Sequence, residues 1–476
     1  MVGEIPQGAR AREVGRRVVL ISPYDLGRQP FALAEPAALL ELAGFEVSCL
    51  DLSLQRLADI EWRDPEMVAI HLGMHTAARI ALAALPRIRT LAPRARLCAY
   101  GLYAPMNAEL LRAWGVAEVI GGEYEDALVA AARRSGDGAA APSPTFIHRG
   151  KVDFAVPQRA QLQPLERYAH LMLPDGGEKT VGFAEASRGC KHWCRHCPVV
   201  PVYQGRFRAV PAAIVFADIR QQVERGAQHI AFGDPDFLNG PTHALRIVRG
   251  LHAEFSDLSW DATIKVQHLL EHAALLPELA RCGCLFITSA VEAVDDRILE
   301  FLAKNHTRAD FVRAVTLLRA AGIGFAPTFV AFTPWTTLEG YLELLETIVQ
   351  LSLIENVPPV QLAIRLLVPE GSELLKLAGF RDQLEPFDAK MLGYPWRHRD
   401  LRVDRLQQAV QDLVARAETQ ALPRRETFDE IRRIAYGALG RRPAAMVPCR
   451  AAVAIPRLSE PWYCCAEPTH EQLAAF

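Results

Sequence analysis

Long apolar runs are missing from this sequence: no stretch of roughly 18 uncharged apolar residues occurs, so no membrane span is expected. A targeting segment is missing as well. Met1 to Arg17 mixes charges and has no apolar core of roughly 7 to 15 residues, so no signal peptide is expected. Excess charge of either sign is absent, because 53 basic residues face 55 acidic ones. This argues against a nucleic-acid or acidic-membrane partner, and Arg424-Arg425 and Arg441-Arg442 read as solvated faces. Evenly spread cysteines, the mark of a disulfide scaffold, are lacking too. Of the 10 present, three share one loop and three crowd the C-terminal segment. That distribution points to metal and thiol chemistry in a reducing, cytoplasmic compartment.

What is present is a chain of 476 residues, half of them apolar, which is enough for two cores. One stretch organises it: Arg188-Gly-Cys-Lys-His-Trp-Cys-Arg-His-Cys-Pro198. It spaces thiols as Cys190-x3-Cys194-x2-Cys197, just after an apolar run, Val181 to Ala186, that reads as a strand. Three thiolates so placed can fold a short loop around one iron-sulfur cluster, leaving its fourth iron open. Zinc or three unrelated thiols is the other reading, but zinc would want a fourth protein ligand.

The loop resembles the signature of the radical S-adenosylmethionine (radical SAM) superfamily. The resemblance implies a 4Fe–4S cluster on Cys190, Cys194 and Cys197, with SAM chelated at the open iron and its sulfonium cleaved by one electron. His196 sits where that pattern asks for an aromatic residue. The electron would come from an external donor of flavodoxin or ferredoxin type.

Ahead of the loop, residues 15–133 alternate short buried strands with helical stretches: Arg17 to Ser22, Phe31 to Ala43, Phe45 to Leu52, Met67 to Leu72, a helix after Thr76, Leu97 to Tyr100, Asn107 to Trp114 and Val116 to Ile120. Such alternation predicts a doubly wound parallel sheet whose ligands sit at the carboxyl ends of the strands. The order is similar to the cobalamin-binding domain that precedes many radical SAM domains, which makes cobalamin an optional third cofactor. The Asp-x-His-x-x-Gly signature is absent, and His71 and His75 lie near the right loops without its spacing. A degenerate domain kept for packing is the alternative. Cys49 and Cys98 fall inside strands and read as core residues.

Residues 134–160, which include the Pro/Gly-rich Ser135 to Pro144, read as a linker. Alternation resumes over residues 161–380. Candidate strands are Val181 to Ser187, His229 to Asp234, Trp260 to Val266, Leu285 to Ala290, Gly324 to Thr333 and Val360 to Leu367. They fit a partial (β/α)6 barrel with its chemistry at the strand ends. There the resemblance implies that Asp234 and Asp236, in Gly233-Asp-Pro-Asp236, take the SAM amino group, against the plain reading of a polar turn. It implies likewise that Glu292 takes the ribose hydroxyls and that Thr333-Pro-Trp335 packs near the adenine. Lys265 and Arg365 could hold a carboxylate or be rim charges. Cys282 and Cys284 read as structural.

Residues 381–440 read as helical and 441–476 as a cysteine-containing tail. Cys449 and Trp462-Tyr-Cys-Cys-Ala-Glu-Pro468 end the chain in a pattern that resembles the CUAEP/CCAEP-tail radical SAM group. Adjacent cysteines have Cα atoms about 3.8 Å apart, too close for an unstrained disulfide. Soft thiolates from Cys449, Cys464 and Cys465 suit a thiophilic element such as arsenic or selenium. The expectation is therefore an α/β radical SAM enzyme acting on a small molecule, with those tail thiols taking part in catalysis. Its rivals are a cobalamin-dependent methyltransferase and a redox or metalloid sensor without turnover.

Overall fold

A computed structural model describes residues 15–135, 142–443 and 455–460. The chain alternates as expected: β1 (Arg17–Ser22), α1 (Phe31–Leu42), β2 (Glu46–Asp51), β3 (Met67–His71), α2 (His75–Leu91), β4 (Arg96–Tyr100), α3 (Tyr103–Met106), α4 (Ala108–Ala113), β5 (Glu118–Gly122) and α5 (Glu125–Arg134). These strands pair in parallel in the order β2-β1-β3-β4-β5, extended by β6 (Phe146–His148). Apolar side chains fill both faces of the sheet, as a parallel sheet between helices requires. Cys49 and Cys98 are buried in it.

β6 lies inside the stretch expected to be a linker. Its Phe-Ile-His run is short and follows two prolines, so the turn signal masks the strand signal. Gly122 makes the pairing possible. At φ +75° a Cβ there would stand 2.0 Å from the carbonyl oxygen of His148, so only glycine lets the strands close.

The second unit begins with β7 (His170–Met172) and β8 (Glu178–Ala184), an antiparallel pair. Then follow β9 (Ser187–Gly189), α6 (Val199–Tyr203), β10 (Phe207–Ala209), α7 (Ala212–Glu224), β11 (His229–Phe232), α8 (Pro241–Glu254), β12 (Ser259–Thr263), α9 (Val266–Glu271) and α10 (Leu276–Arg281). β13 (Cys284–Glu292), α11 (Asp296–Phe301), α12 (Arg308–Ala320), β14 (Gly324–Phe329), α13 (Leu338–Gln350), α14 (Leu401–Thr419), α15 (Arg424–Ala438) and β15 (Arg457–Leu458) complete it. The sheet order is β14-β13-β12-β11-β8-β7-β15, with β8 and β11 to β14 parallel. It is a curled half-barrel with helices on its outer face.

The sixth barrel strand expected over Val360 to Leu367 does not form. Pro359–Leu362 makes a 3-10 turn after two prolines, which have no N–H to give a ladder. What remains is a single parallel bridge between Phe332 and Arg365. α14 and α15 cover that edge instead, with Gln407 donating to the Ala363 carbonyl and Arg432 paired with Glu346.

The inner face carries Val181, Phe183, Ala231 and Phe286, and it is filled from outside the barrel. Phe31 of α1 enters it, together with Ile455 and Leu458 of the C-terminal segment. β15 pairs antiparallel with β7, and Glu460 accepts a hydrogen bond of 2.6 Å from the Tyr24 hydroxyl in the loop after β1. No helix among the described residues is long and apolar enough to cross a membrane.

Arg159, fully buried, joins the units: it pairs with Asp218 of α7, donates to the Phe183 carbonyl and reaches Gln29 after β1. Arg159→Ala would strand Asp218 without its charge partner. We expect it to lower stability by about 3–5 kcal/mol, read as a fall in the urea midpoint; an unchanged midpoint would remove this residue from the domain junction.

Candidate functional site

The three loop cysteines follow β8 at the carboxyl end of the half-barrel. β9 and β10 pair antiparallel on either side of the loop and close it at its base. Three further contacts set its path. Buried Asp234 accepts hydrogen bonds from the Ala186 N–H (2.9 Å) and the Ser187 hydroxyl. Asn239 accepts from the Lys191 N–H, and Arg195 donates to the carbonyls of Glu300 and Phe301. The loop is thus held by the segment after β11 and by the end of α11, which fixes thiols that a free loop would scatter.

Burial and then Asp236 push the Cys190 thiol up to about 11. Burial pushes Cys197 up further, with Cys194 and Cys190 adding to it, so the three sulfurs feel one another. Buried Lys304 stands against them. Burial opposes its charge, but Cys194, Glu292 and Cys197 outweigh that and raise its pKa. Lys265 also faces Cys194, and burial dominates there and lowers its pKa. The donor set is three soft sulfurs from one loop with two lysines beside them, and it fits an anionic cluster held on three sides.

Glu292 ends β13 at φ +71°, in a register shift between β13 and β14. A non-glycine residue held there is strained, and the strain turns its carboxylate into the mouth. His196 Nε2 lies 3.0 Å from it and Lys304 Nζ 3.5 Å. Burial would raise the Glu292 pKa, yet Lys304 and His196 overcome it and hold the carboxyl at about 2.

Other expected site residues are placed differently. Asp234 is spent on pinning the loop, and burial raises it to about 7. Asp236 caps the turn at Leu238 and is flanked by two imidazoles: His192 Nε2 at 3.2 Å and His268 Nδ1 at 2.7 Å. Both aspartates therefore already accept hydrogen bonds or ion pairs from the protein itself. Thr333 is buried in a turn, bonded to the Thr336 hydroxyl at 2.9 Å, while Trp335 stacks near Phe301 and Phe380. Arg365 is not brought to the mouth's other groups. It pairs with Asp404 at 2.9 Å and lies 3.9 Å over the Trp396 ring. Cys284 opens β13 at the opposite end, as its structural reading required. Cys449, Cys464 and Cys465 lie outside the described residues. Sequence reasoning passed over Lys304, His268 and Asn239, none of which stands in a recognisable spacing; His192 was visible within the loop itself.

Arg188, two residues before Cys190, crosses to the N-terminal sheet. Its guanidinium meets Glu35, Glu123, Glu125 and Glu185, all buried or nearly so. Nearby His71 sits between Gly73 and Gly101, its pKa lowered to about 4 by burial and then by Arg188, with its Nδ1 unpartnered. Arg188 thus ties the cysteine loop to the N-terminal sheet beside His71.

Residues 185–346 match the Radical SAM superfamily. The tRNA-2-methylthio-N(6)-dimethylallyladenosine synthase of Acidithiobacillus ferrooxidans is 27% identical over 216 residues, 42% of this chain and 45% of that one. An uncharacterized methyltransferase of Pyrococcus horikoshii is 27% identical over 179 residues, 37% of each chain. The chain therefore spans less than half the length of these curated relatives. Among solved structures, the cobalamin-dependent SAM radical enzyme OxsB with aqua-cobalamin bound shares the fold at TM-score 0.65 and 14% identity, over 84% of this chain and 66% of that one. The radical SAM methyltransferase TsrM from Kitasatospora setae shares it at TM-score 0.56 and 20% identity, over 71% of each.

Two outcomes are expected. Because burial keeps Cys190 and Cys197 protonated before metal arrives, iron–sulfide loading of the metal-free protein should speed up from about pH 7 to about pH 9. A flat rate, followed by cluster absorbance, would contradict the buried thiols. The Glu292 carboxyl is depressed, so its stabilisation is present above the ordinary 4.5 and lost as pH falls towards about 2. Glu292→Gln should lower the urea midpoint at neutral pH and remove the fall in stability across that acid window.

Proposed function

The chain carries a domain of the Radical SAM superfamily over residues 185–346, and on that premise we propose that it is an enzyme that reductively cleaves SAM at a cluster held by Cys190, Cys194 and Cys197. We propose further that cleavage is coupled to a thiophilic acceptor, arsenic or selenium, held by Cys449, Cys464 and Cys465. The observation that carries the first part is the convergence of three loop thiols, one buried and two half-buried, and two lysines at the strand ends.

The domain's 4Fe–4S cluster and SAM, when bound, supply an electron and a sulfonium whose C–S bond that electron breaks. The protein's own residues prepare the place. Lys265 and Lys304 offset the negative charge that collects on three thiolates. Glu292, kept ionised by Lys304 and His196, offers an acceptor for hydroxyl groups at the mouth. Asp234 holds the first turn of the loop, so that the sulfurs keep their spacing during a change of charge. Trp335, packed between Phe301 and Phe380, provides a flat apolar surface at the end of β14.

The second part rests on the tail cysteines of the sequence. The stretch just before two of them, residues 455–460, is fastened to the barrel by β15 and to the N-terminal unit through Glu460 and Tyr24. The reading takes its electron from an external flavodoxin- or ferredoxin-type donor.

The test is anaerobic reconstitution followed by dithionite, SAM and arsenite or selenite, with mass spectrometry of all SAM-derived products. Deoxyadenosine or methylthioadenosine should appear, and Ala in place of the three loop cysteines should abolish both. Ser in place of Cys464 and Cys465 should leave cleavage intact and stop transfer of a carbon fragment to the added element. SAM intact in every mixture would overturn the enzymatic reading.

A further inference from the structure

Three donor groups meet beside the cysteine loop on elements that have nothing else in common. His192 belongs to the loop after β8, Asp236 to the turn after β11, and His268 to α9 after β12. The strands are neighbours, so their carboxyl ends deliver the three side chains to one point. Asp236 Oδ2 lies 3.2 Å from His192 Nε2 and 2.7 Å from His268 Nδ1, and the two imidazole rings are 4.5 Å apart. The side chains are 2%, 11% and 10% exposed.

Hydrogen bonding accounts for only part of this arrangement. The His192 contact has the line of a hydrogen bond. The His268 contact does not: Nδ1 lies closer to the carboxylate, in ion-pair range, yet off the line of a good hydrogen bond in a side chain nine-tenths buried. A buried imidazole nitrogen left so costs free energy, unless something else takes its lone pair. Each of the two nitrogens thus stands about 3 Å from the same carboxylate oxygen, the separation of neighbouring ligands on one ion given metal–ligand distances of about 2.0–2.2 Å.

We propose that His192, Asp236 and His268 form a mononuclear site for a borderline divalent cation, of the Zn(II), Fe(II) or Co(II) type. Two imidazoles and one carboxylate suit such ions, whereas Mg(II) and Ca(II) prefer all-oxygen sets. A set of three protein ligands leaves the remaining positions open to water or to an oxygen or nitrogen donor of a substrate. The site borders the cluster loop, because Cys190 Sγ lies within 4.8 Å of the His192 and Asp236 donor atoms. A substrate bound to this ion would therefore be presented next to the cluster without spending any of its three thiols. His272 and Glu271 lie near His268 on the outer side, with the Glu271 carboxylate 4.0 Å from His268 Nε2. They are not needed for the set. The inference goes beyond the proposed reaction and does not depend on it.

The test uses the full chain with its cluster reconstituted. It is equilibrated with cobalt(II) under anaerobic conditions, desalted, and assayed for both metals by mass spectrometry. Wild type should hold about one cobalt more per chain than His268→Ala, with about four iron in each. Asp236→Asn should lose the same cobalt, and His272→Ala should keep it. A wild type without cobalt overturns the site, as does His268→Ala retaining the full amount or His272→Ala losing as much as His268→Ala. If His268→Ala also loses iron, the shape-preserving His268→Gln decides: retained cobalt there overturns the proposal, and lost cobalt with iron kept supports it.

Discussion

The guanidinium of Arg188 is enclosed by the carboxylates of Glu35, Glu123, Glu125 and Glu185, with the rings of Phe31, Tyr124 and Phe154 over its faces. Arg208 adds a second cation at Glu123. Two positive charges against four carboxylates cannot be balanced by ionisation alone. Burial, the leading cause, raises the pKa values of Glu35, Glu123 and Glu185, and Arg188 opposes that rise at each of them. Removing the arginine would leave several acids facing one another in a dry interior. The position of Cys190, two residues on, is thus set by the N-terminal sheet as much as by the barrel.

Around the loop the charges are sorted by strand end. Beyond β13 stand Lys304 and Glu292, with His196 between the loop and that carboxylate. Beyond β11 and β12 stand Asp236 and its two imidazoles. Asp234 is the odd member, raised to about 7 by burial and bonded to the chain it supports. Each flank of the loop thus carries a lysine and an imidazole–carboxylate contact: Lys304 with His196 and Glu292 on one, Lys265 with His192, His268 and Asp236 on the other.

Much of this was legible in the sequence, and for identifiable reasons. The cysteine loop was readable because ligand spacing is local, and the parallel sheets because their buried strands are near-continuous apolar runs. β6 was hidden by the turn residues ahead of it. The strand expected at Val360 to Leu367 was apolar enough but began at two prolines, and α14 and α15 took the edge it would have covered. The partners of the site were harder. Lys304 and His268 are adjacent to the cysteines only through the register of the half-barrel, which no window of sequence contains. Arg365 looked like a mouth residue by its place after a strand, but Asp404 and Trp396 claim it.

Ile455 and Leu458 fill the inner face of the half-barrel, and a Cβ at Gly324 would come within 2.6 Å of Ile455. This has a consequence for how the chain is made. A ribosome adds about 5–20 residues per second, so the cysteine loop emerges on the order of tens of seconds before the segment that closes the opposite end of the same sheet. Until that segment arrives, Val181, Phe183 and Phe286 lack the apolar cover of Ile455 and Leu458. The nascent barrel is thus an open, apolar trough, and the strand made last among the described residues is also its stopper.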